Sequence, residues 1–270
     1  MLRNKNDFVR TKQDLTHLTW SDKASSSGTN GLFLKTFENN IHYKLSNYDS
    51  YRGFFGHECV NELVASRLLD VLGIDHLSYR LIHAEVCVDG TNLETWLCSS
   101  RNFKRRGEKK LAMETYYSLN SLSGESPIDF CERIGWADQI YKMMLVDFLI
   151  ANRDRHGANI EVLGTTTGNY RLAPLFDHGV SFLFSTYGDE NIIRDFDIMK
   201  DMPVNNYFGT RSLFNNLEFI PQTIQVNPVT EHDYAYIFRG LDGVVSPLLI
   251  GKMREMIERR WNYFEKIRNR

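Results

Sequence analysis

Three oxygen-bearing side chains suggest chemistry. Asp154 and Asn159 stand five positions apart in Asn152-Arg153-Asp154-Arg155-His156-Gly157-Ala158-Asn159, and Asp177 closes the run Tyr170 to Phe176. The apolar stretch before this segment predicts a helix ending near Ile150. Ile160 to Leu163 and Tyr170 to Phe176 read as two strands, with the turn-rich Gly164 to Asn169 between them as a hairpin. A hairpin returns its second end close to its first, so Asp154, Asn159 and Asp177 converge. Such a set suits phosphoryl transfer. One acid orients or deprotonates an attacking hydroxyl, and hard oxygen ligands hold Mg²⁺ against nucleotide phosphates. Protein kinases carry an Asp, an Asn five positions later and a further Asp after a hairpin, in this order. Each residue alone could cap a turn. Their joint register argues for a site.

The parts such a site needs lie upstream. Ser25-Ser26-Ser27-Gly28-Thr29-Asn30-Gly31 is a loop whose backbone N–H groups, at Ser27, Gly28, Thr29 and Gly31, can cradle phosphates. Leu32 to Phe37 and Ile41 to Leu45 read as a strand hairpin. Lys44 on the second strand can reach the α- and β-phosphates of ATP, with Lys35 on the first strand as the alternative. Glu58 to Leu72 predicts a helix with Val60, Val64, Leu68 and Val71 as its apolar stripe and Gly73 at its C-terminus. Glu58 and Glu62 are one turn apart, and either can hold the lysine in an ion pair. Tyr79 to Val88 and Leu93 to Cys98 are strands joined by Asp89-Gly90, a strong hairpin signal.

The second half reads as mostly helical, with one strand pair. Ser126-Pro127-Ile128-Asp129 opens a helix that continues, broken near Gly135, to Ile150. Ser246-Pro247 opens the last helix, in which Leu249, Met253, Ile257, Trp261 and Phe264 form a core-facing stripe. Lys104 to Lys110 is a basic run, expected to be a solvated connection. The fold class is therefore α+β, a bilobal protein-kinase-like fold. Residues 1–100 form a strand-rich lobe with the Ser/Gly loop, and 101–270 a mostly helical lobe with the catalytic and metal loops. The cleft between lobes is the expected ligand site.

Composition limits the alternatives. The 270 residues are 42% apolar and 24% charged, which suits a globular chain and not a disordered one. Lys and Arg number 32 against 34 Asp and Glu, a net charge of −2 that gives no chain-wide grip on nucleic acid. The longest stretch free of these four types is 12 residues, Phe219 to Thr230, too short to span a membrane. The first residues lack the apolar core of a signal peptide, so a cytoplasmic location is expected. Cys59, Cys87, Cys98 and Cys131 form no CxxC motif and read as free thiols.

The sequence resembles the HipA-like serine/threonine kinases of the small stand-alone type. The matching residues are Ser25 to Gly31, His42-Tyr43-Lys44-Leu45-Ser46, Asn61-Glu62 leading to Leu72-Gly73-Ile74, Asn152 to Asn159, and Leu172-Ala173-Pro174-Leu175-Phe176-Asp177. The resemblance runs from about residue 20 to the C-terminus, although no motif carries it beyond Phe184. It implies that Asp154 is catalytic, that Asn159 and Asp177 bind Mg²⁺, that Lys44 binds ATP, and that Glu62 is the partner of Lys44. It implies a protein substrate with a serine or threonine acceptor, and self-phosphorylation at Ser25, Ser26 or Ser27. Larger members carry an extra N-terminal subdomain that contacts a small DNA-binding antitoxin, a partner class the resemblance brings with it. The DRHxxN pattern is shared with phosphoinositide-type kinases, so a small-molecule or lipid acceptor stands as an alternative. A nucleotide-binding pseudokinase acting as an interaction or antitoxin module is another. Three features depart from the general kinase pattern. GxGxxG is absent, Asn152 replaces a histidine, and Asp177-His178-Gly179 replaces Asp-Phe-Gly. None removes a carboxylate or amide that the chemistry requires.

Overall fold

A computed structural model describes residues 6–21 and 33–269. The first strands are β1 (Phe8–Leu15), β2 (Lys35–Glu38) and β3 (Ile41–Lys44). A short pair follows, β4 (Tyr48–Asp49) and β5 (Gly53–Phe54), then helix α1 (Glu58–Leu72). The long strands β6 (Tyr79–Val88) and β7 (Thr91–Arg101) complete a five-stranded sheet of order β1-β6-β7-β3-β2. The β6–β7 turn has Asp89 at φ 51° and Gly90 at φ 78°. Positive φ at both central residues gives the tight turn that matches strand twist.

Side chains alternate across the sheet as strand geometry demands. Ile82, Ala84, Val86 and Val88 pack on one face with Leu45 and Leu97. Tyr79, Leu81 and Cys98 face the other way, into the main core around α1. Of the fifteen α1 residues only Asp70 is not buried. The polar ones survive burial because each finds a partner. Arg67, 1% exposed, ion-pairs with Asp7 at 2.7 Å and donates to the carbonyls of Ile237 and Arg239. Gly73 ends the helix in the left-handed region, at φ 72°. A side chain there would be strained.

The remaining elements are β8 (Lys109–Ala112), α2 (Met113–Asn120), α3 (Pro127–Arg133), α4 (Ala137–Leu149), β9 (Asp154–Arg155), β10 (Glu161–Gly164) and β11 (Tyr170–Leu172). They are followed by α5 (Glu190–Asp195), β12 (Asn205–Asn206), α6 (Tyr234–Ile237) and α7 (Pro247–Arg268). Ser126 caps α3 through a reciprocal box with Asp129, as its sequence predicts. Gly135, at φ 79°, separates α3 from α4. Helices α4 and α7 pack against each other.

Three features differ from the sequence reading. β1 is a strand that no apolar alternation announced. It is a largely exposed edge, paired in parallel with β6. The basic run is not wholly a solvated loop, because Lys109 and Lys110 enter β8. β8 pairs with β10, so the predicted hairpin is a three-stranded sheet of order β11-β10-β8. Between Phe184 and Ser246 the chain forms short turns and single-turn helices in place of long helices.

Candidate active site

Lys44 lies at the end of β3, facing α1. Its ammonium stands 2.9 Å from Glu62 Oε1 and 2.7 Å from Asp177 Oδ1. Sequence spacing left Glu58 and Glu62 as alternatives, and the contact belongs to Glu62. Glu58 turns instead to Asn47, accepting from its backbone N–H and side-chain amide. Likewise Lys44, and not Lys35, is the lysine the carboxylates hold. Glu62 is wholly buried, and its second oxygen accepts the backbone N–H of His178 at 2.8 Å. The buried carboxylate thus ties α1 to the segment carrying Asp177.

Electrostatics at this cluster oppose one another. Burial pushes the Lys44 pKa down, but Asp177 and Glu62 outweigh it and hold the ammonium well above its ordinary value. Burial and the neighbouring Asp177 raise Glu62 against the pull of Lys44. For Asp177 burial also works upward, yet Lys44, then Arg155, bring its carboxyl down to about 2. Lys44 and Asp177 therefore form an ionised pair, with the buried Glu62 carboxyl beside it.

The Asn152–Asn159 segment is built on α4. Asp147, 1% exposed near the end of that helix, accepts from Arg155 Nε at 3.0 Å and Nη2 at 2.9 Å, and from Asn152 Nδ2 at 2.8 Å. Arg155 also donates to the Phe176 carbonyl, so one buried guanidinium joins the Asp154 segment to the Asp177 segment. Asp147 was not singled out from the sequence, although a lone acid inside the apolar Met143-Met144-Leu145-Val146-Asp147-Phe148 was the available signal. Asn159 Nδ2 donates to the Asp154 carbonyl and to Asp154 Oδ2, at 3.1 and 3.3 Å. His156 accepts the Ala158 N–H through Nδ1 at 3.2 Å. Ala151, Asp177 and Phe182 hold left-handed backbone, at φ 52°, 61° and 53°. Such non-glycine conformations concentrate at functional sites.

Asp154, Asn159, Asp177 and Lys44 all line one cleft of about 220 Å³. Beyond them the walls include Leu77, Cys98, Phe103 and Phe176, an apolar part suited to a flat ring, and the polar Ser100. His42 and Lys35 reach it from the sheet. Burial, then Lys110 and Lys35, lower the His42 pKa to about 4, so that imidazole is neutral at pH 7. Lys110 is bound by Glu161, whose oxygens lie 3.0 and 3.1 Å away. The Ser25–Gly31 loop, with Ser27, Gly28, Thr29 and Gly31, lies outside the described residues. All four cysteines are free thiols.

The donors fit Mg²⁺ on a nucleotide. Among the described residues no three His, Cys, Asp or Glu side chains group to cage a metal. An amide oxygen and one carboxylate match the way Mg²⁺ is held on phosphates, with water and phosphate supplying its other ligands. Asn159 spends its amide nitrogen on Asp154, which leaves Oδ1 for a metal. Asp177 spends Oδ1 on Lys44, which leaves Oδ2. The side chains of Asp154 and Asp177 are 34% and 38% exposed, open enough to meet a ligand.

No protein-family model and no curated protein sequence matches the chain. Among solved structures it is similar to the Helicobacter pylori proinflammatory kinase CtkA. That likeness has a TM-score of 0.60 at 17% identity, over 95% of this chain and 97% of that one. A weaker likeness is to HipA of Shewanella oneidensis MR-1, solved with HipB and operator DNA. It has a TM-score of 0.40 at 14% identity, over 88% of this chain and 57% of that one. The chain therefore has the α+β kinase-like fold of CtkA that its motifs predict.

Proposed function

We propose that the protein is a Mg²⁺-dependent kinase that transfers the ATP γ-phosphoryl group to a serine or threonine hydroxyl of a protein. One observation carries the reading. The Lys44 ammonium is held between Glu62 and Asp177 in the same cleft that Asp154 and Asn159 line. In this reading residues 1–100 and 101–270 are the two lobes. Lys44 contacts the phosphates, and Glu62 fixes its position. Asn159 Oδ1 and Asp177 Oδ2 hold Mg²⁺, which would supply charge neutralisation on the phosphates. Asp154 accepts or orients the hydroxyl proton of the acceptor. Its carboxylate is steadied by Asn159 from one side, with His156 Nε2 3.6 Å from the other oxygen. A loose transition state needs little covalent help, so rigid placement of these groups is the main contribution. Self-phosphorylation within Ser25–Ser27 belongs to the same reading.

The test is incubation with γ-labelled ATP and Mg²⁺ in the presence of a protein extract, followed by mass spectrometry of the labelled sites. Label on serine or threonine that disappears with Asp154→Ala supports the proposal. ATP binding without any label on protein, or label only on lipid or small molecules, overturns it.

A further inference from the structure

Lys35 and Lys44 stand directly opposite each other on β2 and β3. The backbone N–H and C=O of Lys35 both bond to Ser21, on the far side of β2. The two lysines are therefore a non-hydrogen-bonded pair, the kind whose side chains approach most closely. Both line the cleft. Like charges placed directly opposite destabilise a sheet, so folding gives no reason for the arrangement.

The two ammoniums differ in what balances them. Lys44 is shared between Glu62 and Asp177, and the third cleft ammonium, Lys110, is held by Glu161. Lys35 is half-buried and makes no ion pair or side-chain hydrogen bond among the described residues. Burial lowers its pKa; Asp177 opposes this, while Lys44 and Lys110 add to it. A highly charged polyphosphate entering this end meets the side chains of Asp154 and Asp177 on the cleft wall. One of the two facing lysines, Lys44, is already shared between Asp177 and the buried Glu62. Mg²⁺ would offset part of the repulsion, and among the described lysines that line the cleft Lys35 is the one with no carboxylate partner.

We propose that Lys35 is a second phosphate-binding residue, taking the terminal phosphates of a nucleoside triphosphate while Lys44 serves as the fixed contact. The inference rests on the nucleotide reading above and deepens it. The bound phosphates supply the counter-charge that this lysine lacks, and relieve its repulsion with Lys44.

Calorimetric titration at fixed Mg²⁺ with ATP and with inorganic tripolyphosphate, and ligand-observed NMR with adenosine, test it on the full chain. Lys35→Met should weaken ATP and tripolyphosphate by roughly tenfold or more, the scale of one charge-assisted hydrogen bond. Adenosine binding should be unchanged, and Lys35→Arg should retain most of the affinity. Without ligand, Lys35→Met should melt no lower than the parent, because a like-charge pair is removed. Equal affinity of parent and Lys35→Met for tripolyphosphate would overturn the proposal, as would an equal loss for adenosine, the mark of a structural defect. If neither phosphate ligand binds the parent, this inference and the kinase reading fall together. If the binding pattern holds but no phosphoryl group moves, only the kinase reading falls.

Discussion

Replacing Lys44 by methionine should destabilise the protein in a pH-dependent way that can be worked from two distances. The ammonium lies 2.9 Å from a fully buried Glu62 and 2.7 Å from Asp177. At an effective dielectric of about 20, one such contact has a gross Coulomb energy of about 6 kcal/mol. Desolvation of the ammonium offsets part of it. Breaking a buried pair by removing one partner costs about 3–5 kcal/mol, because the other charge is left uncompensated. Asp177 is 38% exposed and recovers water, so Glu62 dominates and the lower figure applies. A loss of about 3 kcal/mol corresponds to roughly 6–12 °C in melting temperature for a chain of this size. Burial already raises the Glu62 pKa with Lys44 present. Without Lys44 it rises further, and a raised carboxyl binds its proton more tightly in the folded state than in the unfolded one. The penalty in Lys44→Met should therefore be full at pH 8 and shrink as pH falls toward the raised pKa of Glu62. Adding Glu62→Gln should recover most of the loss at pH 8. Thermal unfolding of parent, single and double variants at pH 5 and pH 8 checks this. A Lys44→Met protein melting within about 2 °C of the parent at pH 8, or no recovery in the double variant, would refute the reasoning.

Three further outcomes are expected. Mg²⁺–ATP at about 100 times its dissociation constant should stabilise the fold by about 2.7 kcal/mol, and Asp177→Ala should remove most of that shift in a thermal-shift assay. Asp154→Ala should lower phosphoryl transfer by at least about 10²-fold while keeping the nucleotide-induced shift, read by single-turnover transfer beside thermal melting. Asp147→Ala should cost about 3 kcal/mol in urea unfolding, because it strands the buried Arg155 and removes the acceptor for Asn152. Asp147→Asn should cost less, since it keeps one acceptor oxygen.

Local signals were legible in the sequence. The α1 boundaries, the Asp89-Gly90 turn and the Ser126 cap each depend on residues within a few positions of one another, so spacing alone defines them. The convergence of Asp154, Asn159 and Asp177 was legible for the same reason, because one hairpin joins them. The long-range contacts were not. Lys44 meets Asp177 across 133 residues, and no spacing rule chooses between Glu58 and Glu62, which share a helix face. β1 was missed because an exposed edge strand need not alternate, and its parallel partner begins some seventy residues on. Lys110 read as a solvated charge, because its carboxylate partner lies 51 positions away on β10. Between Phe184 and Ser246 the turns pack on α4 and α7, which leaves no periodic pattern to read.

A crystal structure with Mg²⁺ and a non-hydrolysable ATP analogue tests the central claim most directly. The account predicts Mg²⁺ bound by Asn159 Oδ1 and Asp177, the phosphates within reach of Lys44, and Asp154 facing the γ-phosphate. A nucleotide bound outside this cleft, or a metal held without Asn159 and Asp177, would contradict it.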